Sequence, residues 1–131
     1  MIAVVDDDAC VRQSAGKLLR SASHSVAEYA TGTEFLASVA ERPPLSVVLD
    51  LRMPVLNGFR VQEALARSGY CIAVIVMTAD HTPENIARAM HLGATACLSK
   101  PVDADRLVEA IKESTQRLYR PDPRQLSTFP G

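Results

Sequence analysis

Cysteine is scarce in this sequence, and the few cysteines present do not form a recognisable pairing pattern. Cys10, Cys71 and Cys97 are odd in number, far apart and without a Cys-x-x-Cys pair. This pattern argues against a disulfide framework and is typical of a reducing cytosol. We expect the three thiols to be small fillers of the protein core.

An excess of charge and a long hydrophobic run are also missing. The chain has 14 basic and 15 acidic residues, for a formal net charge of -1, so its bulk charge calls for neither nucleic acid nor an anionic membrane. No apolar stretch reaches the roughly 18 residues that span a bilayer. Residues 1–8 lack the basic and apolar regions of a secretory signal. We therefore expect a soluble, cytoplasmic protein that does not bind membranes.

The length and composition suit a single domain with one core. The 131 residues are 47% hydrophobic, which suffices for one sizeable core. The last residues carry Pro121, Pro123 and Pro130 without an apolar period. We predict one domain over residues 1–119 and a linker-like or disordered tail over residues 120–131.

Short apolar runs alternate with segments of helical spacing. The five runs are Ile2 to Asp6, Ser25 to Tyr29, Ser46 to Asp50, Ala73 to Thr78 and Thr95 to Ser99. Three of them are nearly continuous in apolar residues, as expected of central parallel strands covered on both faces. Strict alternation predicts an α/β fold, a doubly wound five-stranded parallel sheet in the flavodoxin-like order 2-1-3-4-5, with helices on both faces.

Capping residues and glycines mark the ends of the predicted helices. The predicted caps are Asp8, Thr31, Thr82 and Asp103, and the predicted stops are Gly69 and Gly93. Thr31 is followed three residues later by Glu34, which completes a capping-box pattern. Pro83 stands at a first helical position, where its missing N–H has no consequence.

Polar side chains stand at the ends of four predicted strands. They are Asp6 and Asp7 after the first, Asp50 after the third, Thr78 after the fourth and Lys100 after the fifth. The carboxyl ends of parallel strands share one rim of the sheet, and the first and third strands meet at its topological switch point. Taken alone, each of these residues is also explained by an ordinary structural role, as a helix cap, a turn residue or a surface charge. The joint pattern predicts a site.

Three converging carboxylates determine the chemistry of this predicted site. Two carboxylates about 4 Å apart repel by roughly 4 kcal/mol at an effective dielectric near 20, so the cluster needs a cation or a shifted pKa. Mg²⁺ suits it, while the hydroxyl of Thr78 and the ammonium of Lys100 suit a phosphoryl group. Asp50, which lies deepest in an apolar run, is the candidate nucleophile.

The motifs around these residues resemble those of the receiver domain of bacterial two-component response regulators, over residues 2–119. They are Val4-Val5-Asp6-Asp7-Asp8, Leu49-Asp50-Leu51-Arg52-Met53-Pro54 with Gly58, Met77-Thr78-Ala79 and Leu98-Ser99-Lys100-Pro101. A weaker likeness over residues 29–36 and 89–94 is to the receivers that precede a helix-turn-helix output domain.

The resemblance implies a phosphorylation switch. Asp50 would accept a phosphoryl group from a histidine kinase, and Thr78 and Lys100 would bind that group. The chain would then be a switch with incidental self-phosphorylation and autodephosphorylation, not an enzyme. Its output would be partner binding or homodimerisation through the fourth helix, fifth strand and fifth helix, with transcriptional control if the native chain carries an output domain. The chain itself has no basic stripe for nucleic acid.

The resemblance also implies a magnesium site. Asp7, Asp50 and the backbone carbonyl of Arg52 would hold Mg²⁺, and Asp6 would reach the ion largely through water. A cis peptide between Lys100 and Pro101 is implied as well, and only an X-Pro bond makes the cis form inexpensive.

One position departs from the family pattern. The family usually has Tyr or Phe three residues before the lysine, and the inward swing of that ring reports phosphorylation to the face formed by the fourth helix, fifth strand and fifth helix. Here the residue is Cys97, whose thiol is too small for this role. We predict weaker or differently routed coupling between the phosphoryl site and that face.

Arg52 and Asp80 occupy two variable positions that flank the phosphoryl site in the family. Their opposite charges predict an ion pair that hinders an attacking water and slows loss of the phosphoryl group. The alternative is a pair of solvated charges at an exposed rim, worth under roughly 1 kcal/mol together.

Three other functions remain open on the sequence. A phosphohydrolase with an Asp nucleophile, of the haloacid dehalogenase-like type, would need a second Asp where Arg52 stands. A flavin-binding electron carrier would need a hydroxyl- and glycine-rich loop where the sequence has three aspartates. A phosphorylation-independent receiver acting as a protein-binding module is disfavoured because all five family residues are present.

Overall fold

The computed structural model describes residues 1–119, in which five strands alternate with five helices. The strands are β1 (Ile2–Val5), β2 (Val26–Tyr29), β3 (Ser46–Leu49), β4 (Ala73–Thr78) and β5 (Ala96–Ser99). The helices are α1 (Ala9–Ser21), α2 (Gly32–Val39), α3 (Gly58–Ser68), α4 (Pro83–His91) and α5 (Ala104–Tyr119). The tail predicted over residues 120–131 lies outside the described residues.

The strands form one parallel sheet in the order β2-β1-β3-β4-β5. This confirms the predicted doubly wound α/β fold and its strand order. Val5 pairs with Leu49 in the register of β1 and β3. Asp6 and Asp50 each follow one of these paired residues, so the register places both aspartates side by side at the carboxyl rim.

The sheet is covered on both faces, which accounts for the continuous apolar runs. Ala3 and Val5 point to one side, where they join a core with Phe35 of α2 and with buried residues of α3 and α4. Ile2 and Val4 point to the other side, into a core with buried residues of α1 and α5. Because every position of β1, β3 and β4 is buried, these strands are a rigid support for the residues at their ends.

The helix ends follow the predicted signals. Four predicted caps accept backbone N–H groups with their side chains: Asp8 from Cys10 and Val11, Thr31 from Glu34, Thr82 from Asn85, and Asp103 from Asp105. Gly69 follows α3 at a φ of 81° and Gly93 has a φ of 103°, both in the left-handed region that glycine adopts without strain. None of the helices within residues 1–119 is long and apolar enough to cross a membrane.

The expectation that all three cysteines fill the core is wrong. Cys10 and Cys71 are exposed, and Cys97 is partly buried. Cys10 lies in the first turn of α1, whose buried residues are Ala15, Gly16 and Leu19 further along the helix. Small apolar size alone therefore did not determine where these thiols lie.

Candidate functional site

Four of the five predicted side chains meet at the carboxyl rim of the sheet. One carboxylate oxygen from each of Asp6, Asp7 and Asp50 lies within 4.8 Å of the other two. The Nζ atom of Lys100 is 2.8 Å from Oδ2 of Asp6 and 3.4 Å from Oδ2 of Asp50. Thr78 ends β4, next to β3, and its carbonyl accepts the backbone N–H of Lys100 at 2.9 Å. The rim therefore carries three carboxylates, one ammonium and one hydroxyl.

Asp6 and Asp7 are neighbours in sequence but differ in their surroundings. Asp6 is fully buried, and both of its carboxylate oxygens have partners. Oδ1 accepts the N–H of Asp8 at 2.9 Å, and Oδ2 accepts the Lys100 ammonium at 2.8 Å. Asp7 is exposed. An ion at this rim would therefore find Asp7 open to direct contact and Asp6 already engaged.

Asp50 is buried, with only 4% of its surface exposed, yet its carboxylate is held by long contacts. Oδ1 accepts the N–H of Arg52 at 3.3 Å, and Oδ2 lies 3.4 Å from the Lys100 ammonium. Burial, and then the negative charge of Asp6, raise the pKa of Asp50 to about 6, although Lys100 opposes both effects. This carboxylate thus has lone pairs that are weakly engaged, as a nucleophile requires.

Lys100 provides a fixed positive charge for this cluster. Burial by itself lowers the pKa of Lys100, but its hydrogen bond to Asp6 and the charges of Asp50 and Asp6 outweigh burial and raise it. The ammonium therefore stays protonated at neutral pH. Its peptide bond to Pro101 is cis, as the resemblance implied.

The acidic cluster suits Mg²⁺. With all groups ionised, three carboxylates face a single ammonium, so the cluster keeps a net negative charge. Magnesium–oxygen distances of about 2.0–2.1 Å place two ligand oxygens at most about 4 Å apart. Neighbouring ligands of an octahedral ion lie only about 3 Å apart, so oxygens within 4.8 Å of one another would approach by up to about 2 Å to share one ion.

Gly58 brings the start of α3 against the backbone of Asp50 and Leu51. Its N–H donates to the carbonyl of Leu51 at 3.0 Å. A Cβ atom at this position would lie 2.5 Å from the carbonyl oxygen of Asp50, closer than two unbonded atoms approach. The glycine therefore allows the loop after Asp50 to close over the end of β3.

Arg52 and Asp80 form the ion pair that their charges predicted, with NH2 of Arg52 3.2 Å from Oδ2 of Asp80. The Nδ2 atom of Asn85 also donates to Asp80, to its carbonyl at 2.9 Å and to Oδ2 at 3.2 Å. The N–H of Asp80 in turn donates to the Thr78 hydroxyl at 3.0 Å. The loop between β4 and α4 is thereby connected to the loop after Asp50.

Cys97 lies on β5, and its partly buried thiol packs at the edge of the core. Burial raises the pKa of this thiol, which makes it less reactive than a free thiol. Its carbonyl oxygen lies 2.9 Å from Nε2 of His81, in the loop between β4 and α4. The ring of His81 therefore joins this loop to β5.

Sequence reasoning missed three side chains with contacts at the rim. They are Arg12, Asn85 and His81. None belongs to a recognised motif. The only sequence signal for Arg12 is its place on the inward side of an amphipathic helix. Most partly buried arginines share that signal, so it does not identify a site residue.

Comparison with known proteins agrees with this arrangement. The family model described as "Response regulator receiver domain" matches residues 2–112. The transcriptional regulatory protein FixJ of Azorhizobium caulinodans is 34% identical over 114 residues, which are 87% of this chain and 54% of that protein. Nodulation protein W of Bradyrhizobium diazoefficiens is 34% identical over 117 residues, 89% of this chain and 52% of that protein.

A solved structure shows the same architecture. It is the response regulator receiver domain protein from Clostridium thermocellum, with a TM-score of 0.83 and 30% identity over 89% of this chain and 94% of that one. The chain spans about half the length of the curated relatives that it matches. The matched residues include the whole acidic rim and all five strands. The chain therefore belongs to the response regulator receiver domain family of two-component systems, whose members are in general signalling regulators rather than enzymes.

Proposed function

We propose that this chain is a phosphorylation-controlled switch whose phosphoacceptor is Asp50 and whose phosphodonor is a histidine kinase. The observation that carries the proposal is the buried Asp50 carboxylate with long contacts, 3.4 Å from the Lys100 ammonium. An oxygen of Asp50 attacks the phosphorus of a kinase phosphohistidine. The phosphorus–nitrogen bond breaks, the imidazole takes up a proton, and Asp50 becomes an acyl phosphate.

The other rim residues supply electrostatic stabilisation and positioning, which phosphoryl transfer requires. Lys100 neutralises the transferred group from its place between Asp6 and Asp50. The Thr78 hydroxyl accepts the N–H of Asp80 and keeps its own proton to donate. Its rotation toward the phosphoryl group would pull on the loop that contains Asp80.

A Mg²⁺ ion belongs to this proposal. Asp7, Asp50 and the backbone carbonyl of Arg52 would hold the ion, and Asp6 would reach it largely through water because both Asp6 oxygens are engaged. When bound, the ion would neutralise charge on the transferred group. Self-phosphorylation and autodephosphorylation are then incidental to signalling.

The output that we propose is a change in partner binding or in homodimerisation through the face formed by α4, β5 and α5. Met90 of α4, which is 45% exposed, supplies apolar surface on this face. FixJ of Azorhizobium caulinodans is named a transcriptional regulatory protein and is about twice as long as the matched region. We therefore propose that, if the native chain carries an output domain, that domain rather than residues 1–119 contacts DNA, and that the switch operates in the cytoplasm.

The test is intact mass spectrometry of the full chain after incubation with Mg²⁺ and acetyl phosphate. We expect a gain of one phosphoryl group that is lost when EDTA replaces Mg²⁺ and absent from Asp50→Asn. Asp105→Asn is the matched control, because Asp105 is an exposed aspartate in the first turn of α5, and it should be modified normally. A folded protein without an adduct would contradict the proposal and would favour a phosphorylation-independent receiver.

A further inference from the structure

Arg12 of α1 contacts the backbone of the acidic rim, although the sequence did not predict it as a site residue. Its NH1 atom donates to the carbonyl oxygen of Asp6 at 2.8 Å. Its Nε atom is 3.9 Å from Oε1 of Glu28 on β2. The side chains of Arg12 and Glu28 are only 17% and 21% exposed, so both are held mainly by protein contacts.

Glu28, the carboxylate near Arg12, is also paired with a second arginine of α1. NH1 of Arg20 lies 2.9 Å from Oε2 of Glu28. A Cβ atom at Gly16 would lie 2.7 Å from the same oxygen, so a glycine in the middle of α1 makes room for the carboxylate. Glycine in a helix interior costs roughly 1 kcal/mol relative to alanine, and here it permits this ionic contact.

The carbonyl that Arg12 holds belongs to the peptide that joins Asp6 to Asp7. The other polar groups of Asp6 are also engaged, since its N–H donates to Tyr29 and its carboxylate accepts from Asp8 and Lys100. The plane of a peptide moves as a unit because the peptide bond is rigid. A fixed Asp6 carbonyl therefore restricts the direction in which the exposed Asp7 side chain leaves the backbone.

We propose that Arg12 is a positioning residue for the metal site, holding the peptide between Asp6 and Asp7 so that the Asp7 carboxylate faces Asp50. This role rests on the proposed magnesium-dependent function. Removing a group that holds a metal ligand in its binding orientation typically lowers metal affinity about 10-fold or more. Glu28 offsets only part of the charge of Arg12, because the same carboxylate also pairs with Arg20.

A purely electrostatic role predicts the opposite result. A guanidinium 2.8 Å from the Asp6 carbonyl repels a nearby Mg²⁺, and its removal would tighten Mg²⁺ binding if charge were all that mattered. If Arg12 positions the peptide, its removal weakens binding although a positive charge is lost. The sign of the change in affinity therefore separates the two roles.

The experiment is isothermal titration of the full chain with MgCl₂, comparing Arg12→Gln with Arg20→Gln. Both arginines contact Glu28, but only Arg12 contacts the Asp6 carbonyl. We expect Arg12→Gln to bind Mg²⁺ about 10-fold more weakly and Arg20→Gln to stay within about twofold of the unsubstituted protein. Arg12→Lys keeps the charge but cannot span both partners, so it should also bind weakly, and it replaces the glutamine variant if that one fails to fold.

A second measurement needs no metal. Nitrogen-15 order parameters of the metal-free protein should fall at residues 7 and 8 in Arg12→Gln and stay unchanged in Arg20→Gln. Equal or tighter Mg²⁺ binding by Arg12→Gln, or unchanged order parameters, would overturn the positioning role. An unsubstituted protein that binds no Mg²⁺ would instead overturn the proposed metal site itself, and with it the role of Arg12 there.

Discussion

The Asp50 carboxylate is ionised at neutral pH although its surroundings favour the protonated form. Burial, followed by the charge of Asp6, raises its pKa from 3.8 to about 6. The folded protein therefore binds this proton more tightly than the unfolded chain does. Its contribution to stability is fully present below about pH 4 and is lost as the pH rises through about 6. Ionisation of Asp50, which its proposed role as phosphoacceptor needs, thus works against folding at neutral pH.

We predict that Asp50→Asn stabilises the metal-free protein at pH 7.5. The gain in unfolding free energy should be about 1–3 kcal/mol, since one pKa unit corresponds to about 1.4 kcal/mol, and it should shrink toward zero near pH 4. Urea denaturation in EDTA at pH 4, 5.5 and 7.5 measures this. A variant that is less stable than the unsubstituted protein at pH 7.5 would contradict the prediction.

Individual site residues were predictable to the extent that their backbone position alone determines where they lie. Asp6, Asp50 and Lys100 follow strands, and the rim is the common end of all parallel strands. Arg12 and His81 reach the rim with long side chains whose targets are backbone carbonyls. Which carbonyl they meet depends on how a helix or loop packs against the sheet, and no periodicity or motif encodes that.

At the scale of elements, the loop between β3 and α3 contains local strain. Val55 is fully exposed and has a φ of 69°. A β-branched residue in the left-handed region is disfavoured by roughly 1 kcal/mol or more. The side chain has no burial to offset this, so the strain is not compensated by packing.

Replacing Val55 with Asn should therefore stabilise the protein by about 0.5–1 kcal/mol, because Asn tolerates the left-handed region without the added chain entropy of glycine. Val55→Ile is the control, since it keeps the branched Cβ and should leave stability unchanged. The melting temperatures of both variants, compared with that of the unsubstituted protein, test this prediction. Equal melting temperatures for Asn and Val at this position would show that the loop relaxes without cost.

The elements themselves were largely readable from the sequence. Strand ends differ from the predicted runs by one residue at most, because continuous apolar runs end where the sheet leaves the core. The cap of α3 was missed: Asn57 accepts the N–H of Arg60 at 3.1 Å. Asn57 lies between Asp50 and Gly58, in a segment that the family resemblance had already assigned to the site.

The loop between β4 and α4 gives a further prediction about the lifetime of the phosphoryl group. The Arg52–Asp80 pair joins the loop after Asp50 to the loop after Thr78, and the two side chains are 75% and 37% exposed. Such a pair is worth at most about 1 kcal/mol, which corresponds to about a fivefold change in rate. Arg52→Ala should thus speed the loss of phosphate by up to about fivefold.

Arg60→Ala is the matched control for this rate, because Arg60 forms an exposed pair with Glu63 within α3. The phosphorylated proteins are prepared with acetyl phosphate, the donor is removed, and the decay is followed by intact mass. If Arg52→Ala and Arg60→Ala decay at the same rate as the unsubstituted protein, the pair does not shield Asp50 from water.

At the scale of the whole molecule, the sheet holds the proposed phosphoryl site at its rim, and the proposed signalling face includes its edge strand β5. Asp50 follows central strand β3, whereas β5 lies beyond β4 with α4 packed against it, and α5 packs on β3 and β4. We infer that a signal from a phosphorylated Asp50 would reach β5 through Thr78 and its loop, because Thr78 ends the strand between them. His81 connects that loop to the Cys97 carbonyl, so a route exists that does not use an aromatic ring at position 97.

Restoring the aromatic ring should strengthen this coupling. In Cys97→Tyr, the ring can swing between the edge of the core and the solvent as Thr78 moves, which the small thiol cannot do. We predict that phosphorylation then shifts the monomer–dimer equilibrium further than in the unsubstituted protein, as measured by sedimentation velocity before and after acetyl phosphate. Cys71→Tyr controls for adding an aromatic ring, because Cys71 is exposed in the loop before β4. Unchanged dimerisation and unchanged partner binding in Cys97→Tyr would mean that the His81 route carries the signal by itself.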